Sequence, residues 1–68
     1  MINRVRALLK KNNIKTKKID DNTIEINSKR MDIAYHIAEY YAADWEEFWG
    51  WCYIKINPDF HIIWNYEK

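Results

Sequence analysis

The chain has 68 residues, a net charge of +1, one cysteine, one glycine and one proline, and 16% of it is aromatic. A single cysteine excludes a disulfide scaffold and fits a reducing compartment or a small buried hydrophobe. The compensation in so short a chain is aromatic: four Trp, five Tyr and two Phe that can each bury a large area. No basic start leads into an apolar run and no segment approaches a membrane span, and the expectation is one soluble, cytoplasmic domain over residues 1–68 without membrane contact.

Ile2, Val5, Leu8 and Leu9 form an apolar stripe among Arg4, Arg6, Lys10 and Lys11, which predicts a first helix of about three turns ended by Asn12-Asn13. Residues 14–26 then predict a hairpin turning at Asp21-Asn22, with Ile19 opposite Ile24, Lys18 opposite Glu25 and Lys17 opposite Ile26.

Residues 28–50 are the longest periodic stretch. Met31, Ala34, Tyr35, Ala38, Tyr41, Ala42, Trp45, Phe48 and Trp49 recur at steps of three and four, a wide apolar face that needs cover on more than one side. Ser28 suits the N-cap of this central helix and Asp32 its first turn. The acids Asp44, Glu46 and Glu47 sit badly at a helix C-terminus. The helix therefore either runs through to a cap at Gly50 or breaks near Ala43 and restarts for one turn.

Residues 51–66 predict a second hairpin with Pro58-Asp59 as its turn and Asn57 paired with Phe60. That register places Cys52, Ile54, Ile56, His61, Ile63 and Asn65 on one face. Trp51, Tyr53, Lys55, Phe60, Ile62, Trp64 and Tyr66 fall on the other, and a slip of one residue on one strand exchanges the faces. The expected fold is α+β in the order αββαββ, with both hairpins packed on a long central helix and a short N-terminal one. The hairpins either join in one four-stranded antiparallel sheet or pack on opposite sides of the central helix.

Charge is unevenly placed. Residues 1–19 hold seven bases (Arg4, Arg6, Lys10, Lys11, Lys15, Lys17, Lys18) and no acid, whereas residues 20–68 hold four bases against ten acids, a net of −6. Such a dipolar chain offers one region to anions and another to basic surfaces, or simply solvates a small aromatic domain.

No catalytic constellation stands out. Cys52 and His61 lie too far apart along the second hairpin for a nucleophile–base pair, and Asp32 and His36 have the spacing of a helix-stabilising pair. No glycine-rich phosphate loop and no Cys/His ligand spacing is present, so neither cofactor, metal nor enzymatic activity is expected.

Binding is the better-supported class. Asp44, Trp45, Glu46, Glu47 and Trp49 mix acid with aromatic surface suited to a basic groove on another protein, and Trp51, Tyr53, Phe60, Trp64 and Tyr66 would extend that surface if their face is open. The competing reading puts these aromatics in the core. A single-stranded nucleic acid is the alternative ligand, stacked on the aromatic face with its phosphates on the seven N-terminal bases. A homodimer closed over the same face is the second alternative. The open aromatic face is loosely similar to RNA-recognition sheet domains, without their motifs or strand order. Short length and richness in Ile, Asn, Lys and aromatics resemble the accessory proteins of viruses and mobile elements in AT-rich bacterial hosts. That resemblance implies a phage protein inhibiting a host enzyme or defence complex, as anti-CRISPR proteins do.

Overall fold

A computed structural model describes residues 2–67 as two helices and a five-stranded mixed sheet: α1 (Ile2–Lys11), β1 (Thr16–Asp20), β2 (Thr23–Asn27), α2 (Met31–Tyr40), β3 (Asp44–Phe48), β4 (Trp51–Ile56) and β5 (Phe60–Asn65). The sheet order is β1-β2-β5-β4-β3; all neighbours are antiparallel except β2 and β5, which run parallel. The class is α+β as expected. The element order is αββαβββ instead of αββαββ, and the two predicted hairpins join edge to edge in one sheet.

α1 ends where Asn12-Asn13 predicted. Asn13 adopts φ +61°, and its N–H donates to the Lys10 carbonyl at 3.0 Å while that of Ile14 donates to the Leu9 carbonyl at 2.9 Å. This pair of bonds around a left-handed residue satisfies carbonyls that the helix end leaves open. Val5 and Leu9 are fully buried on the inner face, with Leu8 packed beside them. The place of the Ile2 side chain on that stripe lies outside the described residues.

The first hairpin turns at Asp21-Asn22, as expected, and the Asn22 N–H donates to Asp20 Oδ1 at 2.8 Å. Its register departs from expectation: Ile19 forms a bulge between Lys18 and Asp20, so Lys18 faces Ile24, Lys17 faces Glu25 and Thr16 faces Ile26. The extra residue shifts every pair beyond it by one. Ile19 consequently stays half-exposed while Ile24 and Ile26 are buried.

α2 stops at Tyr40, ten residues short of the predicted cap at Gly50. It also begins late. Arg30 occupies the N-cap position, and Ser28 Oγ instead accepts the Arg30 N–H at 3.1 Å. At its far end Ala42 takes φ +51°, with bonds from the Ala42 N–H to the Glu39 carbonyl (3.2 Å) and from the Ala43 N–H to the Ala38 carbonyl (2.8 Å). The chain thus leaves the helix by the same device as α1. The expected break near Ala43 is present, but the acidic stretch behind it is a strand and not a restarted helical turn. In that strand Asp44, Glu46 and Glu47 avoid the negative end of the helix dipole. Gly50 serves a hairpin turn instead of a helix cap.

The second predicted hairpin exists as β4–β5, one residue out of the expected register. Ile56 pairs with Phe60, Ile54 with Ile62 and Cys52 with Trp64, across a three-residue loop Asn57-Pro58-Asp59 with a cis Asn57–Pro58 peptide. This register turns Phe60, Ile62 and Trp64 inward, next to Ile24 and Ile26 on the parallel neighbour β2. It buries more apolar area than the alternative that would have buried His61 and Asn65, and that difference decides the faces.

One contiguous core results. The inner face of the sheet carries Ile24, Ile26, Cys52, Ile54, Ile56, Phe60, Ile62 and Trp64, all buried, and both helices cover it through Val5, Leu9, Ala34 and Ile37. The outer face has no helix over it. Its cross-strand rows are Lys17–Glu25–Ile63–Tyr53–Glu46 and Thr23–His61–Lys55–Asp44, with Asn27, Asn65, Trp51 and Phe48 beyond them.

Candidate protein-binding surface

The β3–β4 hairpin gathers most of the aromatic and acidic residues singled out in the sequence. Phe48 and Trp51 close the last rung of the ladder, and Trp49-Gly50 makes the turn, with Gly50 at φ +81°. Glycine is required there for two reasons. A side chain at that φ is strained, and a Cβ would lie 2.9 Å from Glu67 Cγ. The Gly50 carbonyl accepts the N–H groups of Tyr66 and Glu67 at 3.0 and 3.3 Å, and the Tyr66 hydroxyl donates to the Phe48 carbonyl at 3.0 Å. The tip is therefore tied to the segment after β5 on both sides of the turn.

From that fixed base Trp49 projects into solvent, 97% exposed. Phe48 is 43% exposed and stacks on Trp51 with ring centroids 4.4 Å apart and planes 14° apart. The three rings form an apolar tip at one end of an edge strand carrying Asp44, Glu46 and Glu47 and no base. Asp44 and Glu46 belong to the outer face, opposite Lys55 and Tyr53. Glu47 and Trp45 alternate to the inner side, where the Trp45 indole N–H donates to Glu47 Oε1 at 3.3 Å and the Trp45 ring lies 5.1 Å from that of Tyr35 on α2.

Of the ten residues expected to bind protein, Asp44, Trp45, Glu46, Glu47, Trp49, Trp51 and Tyr53 are brought together on this hairpin and remain at least partly exposed. Tyr66 braces the base of the tip. Phe60 and Trp64 are corrected: at 4% and 0% exposure they belong to the core, because the β5 register turns them inward. Phe48 was expected on the apolar face of a long helix; the strand assignment moves it to the tip. No local alternation separates the two readings, because Phe48 shares its strand face with the acids Asp44 and Glu46 and only pairing with β4 sets that face.

Further along the outer face, Tyr53 Oη and His61 Nδ1 are hydrogen-bonded, and His61 Nε2 lies 3.6 Å from Asp59 Oδ1. Asp59 also accepts from Asn22 Nδ2 at 3.2 Å, which joins the two turns that precede the parallel strands. Cys52, on the inner face between Glu47 and Trp64, is fully buried. Burial first, and the Glu47 carboxylate second, push its thiol up to about 11, so it is a neutral packing group at ordinary pH. Among the described residues no three His, Cys, Asp or Glu side chains cluster as metal ligands, and no helix is long and apolar enough to cross a membrane.

Of the seven N-terminal bases, Lys15, Lys17 and Lys18 lie on or beside β1, at the sheet edge opposite β3, and Arg6 reaches that edge through Thr16. β1 and β3 are the two edges of the sheet, four strand spacings or about 19 Å apart. Arg6, Lys10 and Lys15 line a groove beside α1. Arg4 and Lys11 are exposed elsewhere on that helix, Lys17 faces Glu25, and Lys18 pairs with Asp21 at 3.4 Å. Compared with known family models, curated proteins and solved structures, the chain matches none.

Proposed function

We propose that this chain is a non-catalytic protein-binding module that masks a basic surface of its partner with the tip and acidic edge of the β3–β4 hairpin. The observation that carries the reading is Trp49, 97% exposed at the turn of a braced hairpin whose strand bears three acids. Nothing in the fold needs that indole where it is. Tryptophan is the residue most enriched at binding hot spots, and acids around it speed encounter with a basic partner and fix orientation.

The separation of charge from aromatic surface favours this reading over single-strand stacking. A stacked strand needs bases of the protein beside its rings, whereas Phe48, Trp49 and Trp51 neighbour acids and sit at the far edge from Arg6, Lys10 and Lys15. The compositional resemblance to accessory proteins of phages and mobile elements makes a host enzyme or defence complex the partner class. A buried, unpaired Cys52 fits the reducing cytoplasm of such a host.

The test is affinity capture of host protein by the wild type, Trp49→Ala and the charge reversal Asp44→Lys/Glu46→Lys. The expected result is one partner retained by the wild type and lost by both variants, which unfold at unchanged denaturant concentration. Retention of the same proteins by all three would exclude the hairpin as the binding surface.

A further inference from the structure

From the basic edge, which is independent of the aromatic tip, we infer that the trough between α1 and the α1–β1 connection is a binding site for the sugar-phosphate backbone of a nucleic-acid duplex. Asn3, Arg6, Ala7 and Lys10 recur at steps of three and four and form one wall, facing away from the buried Val5 and Leu9. The left-handed turn at Asn13 reverses the chain, so that Lys15 and Thr16 return along the helix as the other wall. The two walls are bridged where Arg6 Nε donates to Thr16 Oγ1 at 3.1 Å. The groove between them holds about 770 Å³.

The trough continues. Asn13, Ile14 and Lys15 also line an adjoining depression that reaches Asn27, Ser28 and Arg30. The combined lining contains bases, amides, hydroxyls and the apolar Ala7 and Ile14, and neither an acid nor an aromatic ring. Arg30 is already engaged by Asp32 at 2.9 Å. Among the described residues no acid lies within 4.0 Å of the charged groups of Arg6, Lys10 or Lys15. α1 itself contains no acid at all.

Arginine, lysine, asparagine, serine and threonine are the side chains that contact phosphate and sugar without reading sequence. The lack of rings removes the stacking platform on which single strands depend. The apolar lining residues are Ala7 and the nearly buried Ile14, and neither is the aromatic kind of anchor that an acidic protein would use as a hot spot. What is left matches a paired backbone, bound through charge. DNA and RNA duplexes share this chemistry, and the test separates them.

The experiment measures fluorescence anisotropy of labelled, mixed-sequence DNA and RNA duplexes over a salt series. Three free bases predict a slope of about −2.7 for log affinity against log salt, or about 40-fold weaker binding at 200 than at 50 mM. Lys10→Gln/Lys15→Gln should reduce the slope by about 2, and Lys10→Glu/Lys15→Glu should weaken binding by at least about tenfold, with circular dichroism unchanged. Trp49→Ala should bind as the wild type does, which keeps this site distinct from the hairpin tip. The tighter duplex identifies the natural ligand. The inference is overturned if neither duplex binds, if the Lys10/Lys15 variants bind like the wild type, or if single strands bind better than duplexes. It is equally overturned if the variants abolish only self-association seen by sedimentation, in which case the acidic edge of a second copy is the occupant.

Discussion

The indole N–H of Trp64 donates to the carbonyl of Ser28 at 2.9 Å, and the Ser28 N–H donates to the next residue of β5, Asn65, at its carbonyl, again at 2.9 Å. These two bonds close the end of the parallel β2–β5 pair at the point where the chain leaves β2 for α2. Trp64 is thus both the largest fully buried side chain and the latch on the connection it packs beneath. Trp64→Phe keeps much of the volume but leaves the Ser28 carbonyl without this partner, at a cost of about 1–3 kcal/mol. Trp64→Ala should cost about 3–5 kcal/mol, comparable to the whole stability of a domain this size. Urea unfolding should show the midpoint falling for Phe with an unchanged slope, and no folded baseline for Ala.

The tryptophans report the two surfaces separately. Trp49 is 97% exposed and Trp64 0%. Trp49→Phe should remove most of the red-shifted, acrylamide-quenchable emission, while Trp64→Phe should remove a blue-shifted component that acrylamide does not reach. Because Trp49 makes no fold contact of note, its replacement should alter stability by less than about 0.5 kcal/mol. A larger loss would mean that the tip is structural.

Cys52 makes the fold sensitive to alkali. Its folded thiol titrates near 11 against an ordinary value of 9.0. As the pH rises past 9.0 the unfolded chain loses this proton first while the native state retains it, so stability falls through the interval up to about 11. The full interval is worth about 2–3 kcal/mol. Cys52→Ala should flatten that part of the pH profile. Native protein should resist thiol-specific reagents at neutral pH and react once unfolded.

Ala42 holds a left-handed conformation that glycine adopts without penalty, at an exposed position. Ala42→Gly should stabilise the protein by about 0.5–1 kcal/mol, or several degrees in thermal midpoint. Ala42→Val should do the reverse, because a β-branched residue tolerates that φ worse. Differential scanning calorimetry distinguishes the two.

Local signals were legible wherever a short stretch decides its own structure. The stripe through Val5 and Leu9, the stop at Asn12-Asn13 and the turn at Asp21-Asn22 each depend on neighbours in sequence, and the structure has them. The split of β4 into Cys52, Ile54 and Ile56 against Trp51, Tyr53 and Lys55 is likewise a period-two pattern visible in six residues. What stayed hidden depends on distant partners. Trp45 and Phe48 continue the helical spacing of α2, and only pairing with β4 turns them into opposite faces of a strand. The inward turn of Phe60 and Trp64 follows from a loop one residue longer than expected and from burial against β2, whose pairing with β5 no local pattern announces. The acidic-aromatic surface was therefore legible in its residue types, and its geometry was not. The trough beside α1 was legible as charge but not as a shape, since the return of Lys15 and Thr16 against Arg6 follows from the bend at Asn13.

The central position of β5 has a consequence for synthesis. The strand that lies between β2 and β4 is the last of the five in chain order, so on the ribosome neither half of the sheet gains its middle neighbour until residues 60–65 have emerged. Until then β2 and β4 each show an open edge flanked by unburied isoleucines, and only the two outer hairpins, β1–β2 and β3–β4, have formed their local pairs. Once it emerges, β5 pairs locally with β4 across the loop Asn57-Pro58-Asp59, whereas its parallel pairing with β2 joins segments far apart in sequence, the kind of contact that forms slowly. A nascent chain stalled before Phe60 should accordingly remain open to proteases at β2 and β4, and once residues 60–65 are available β4 should gain protection before β2.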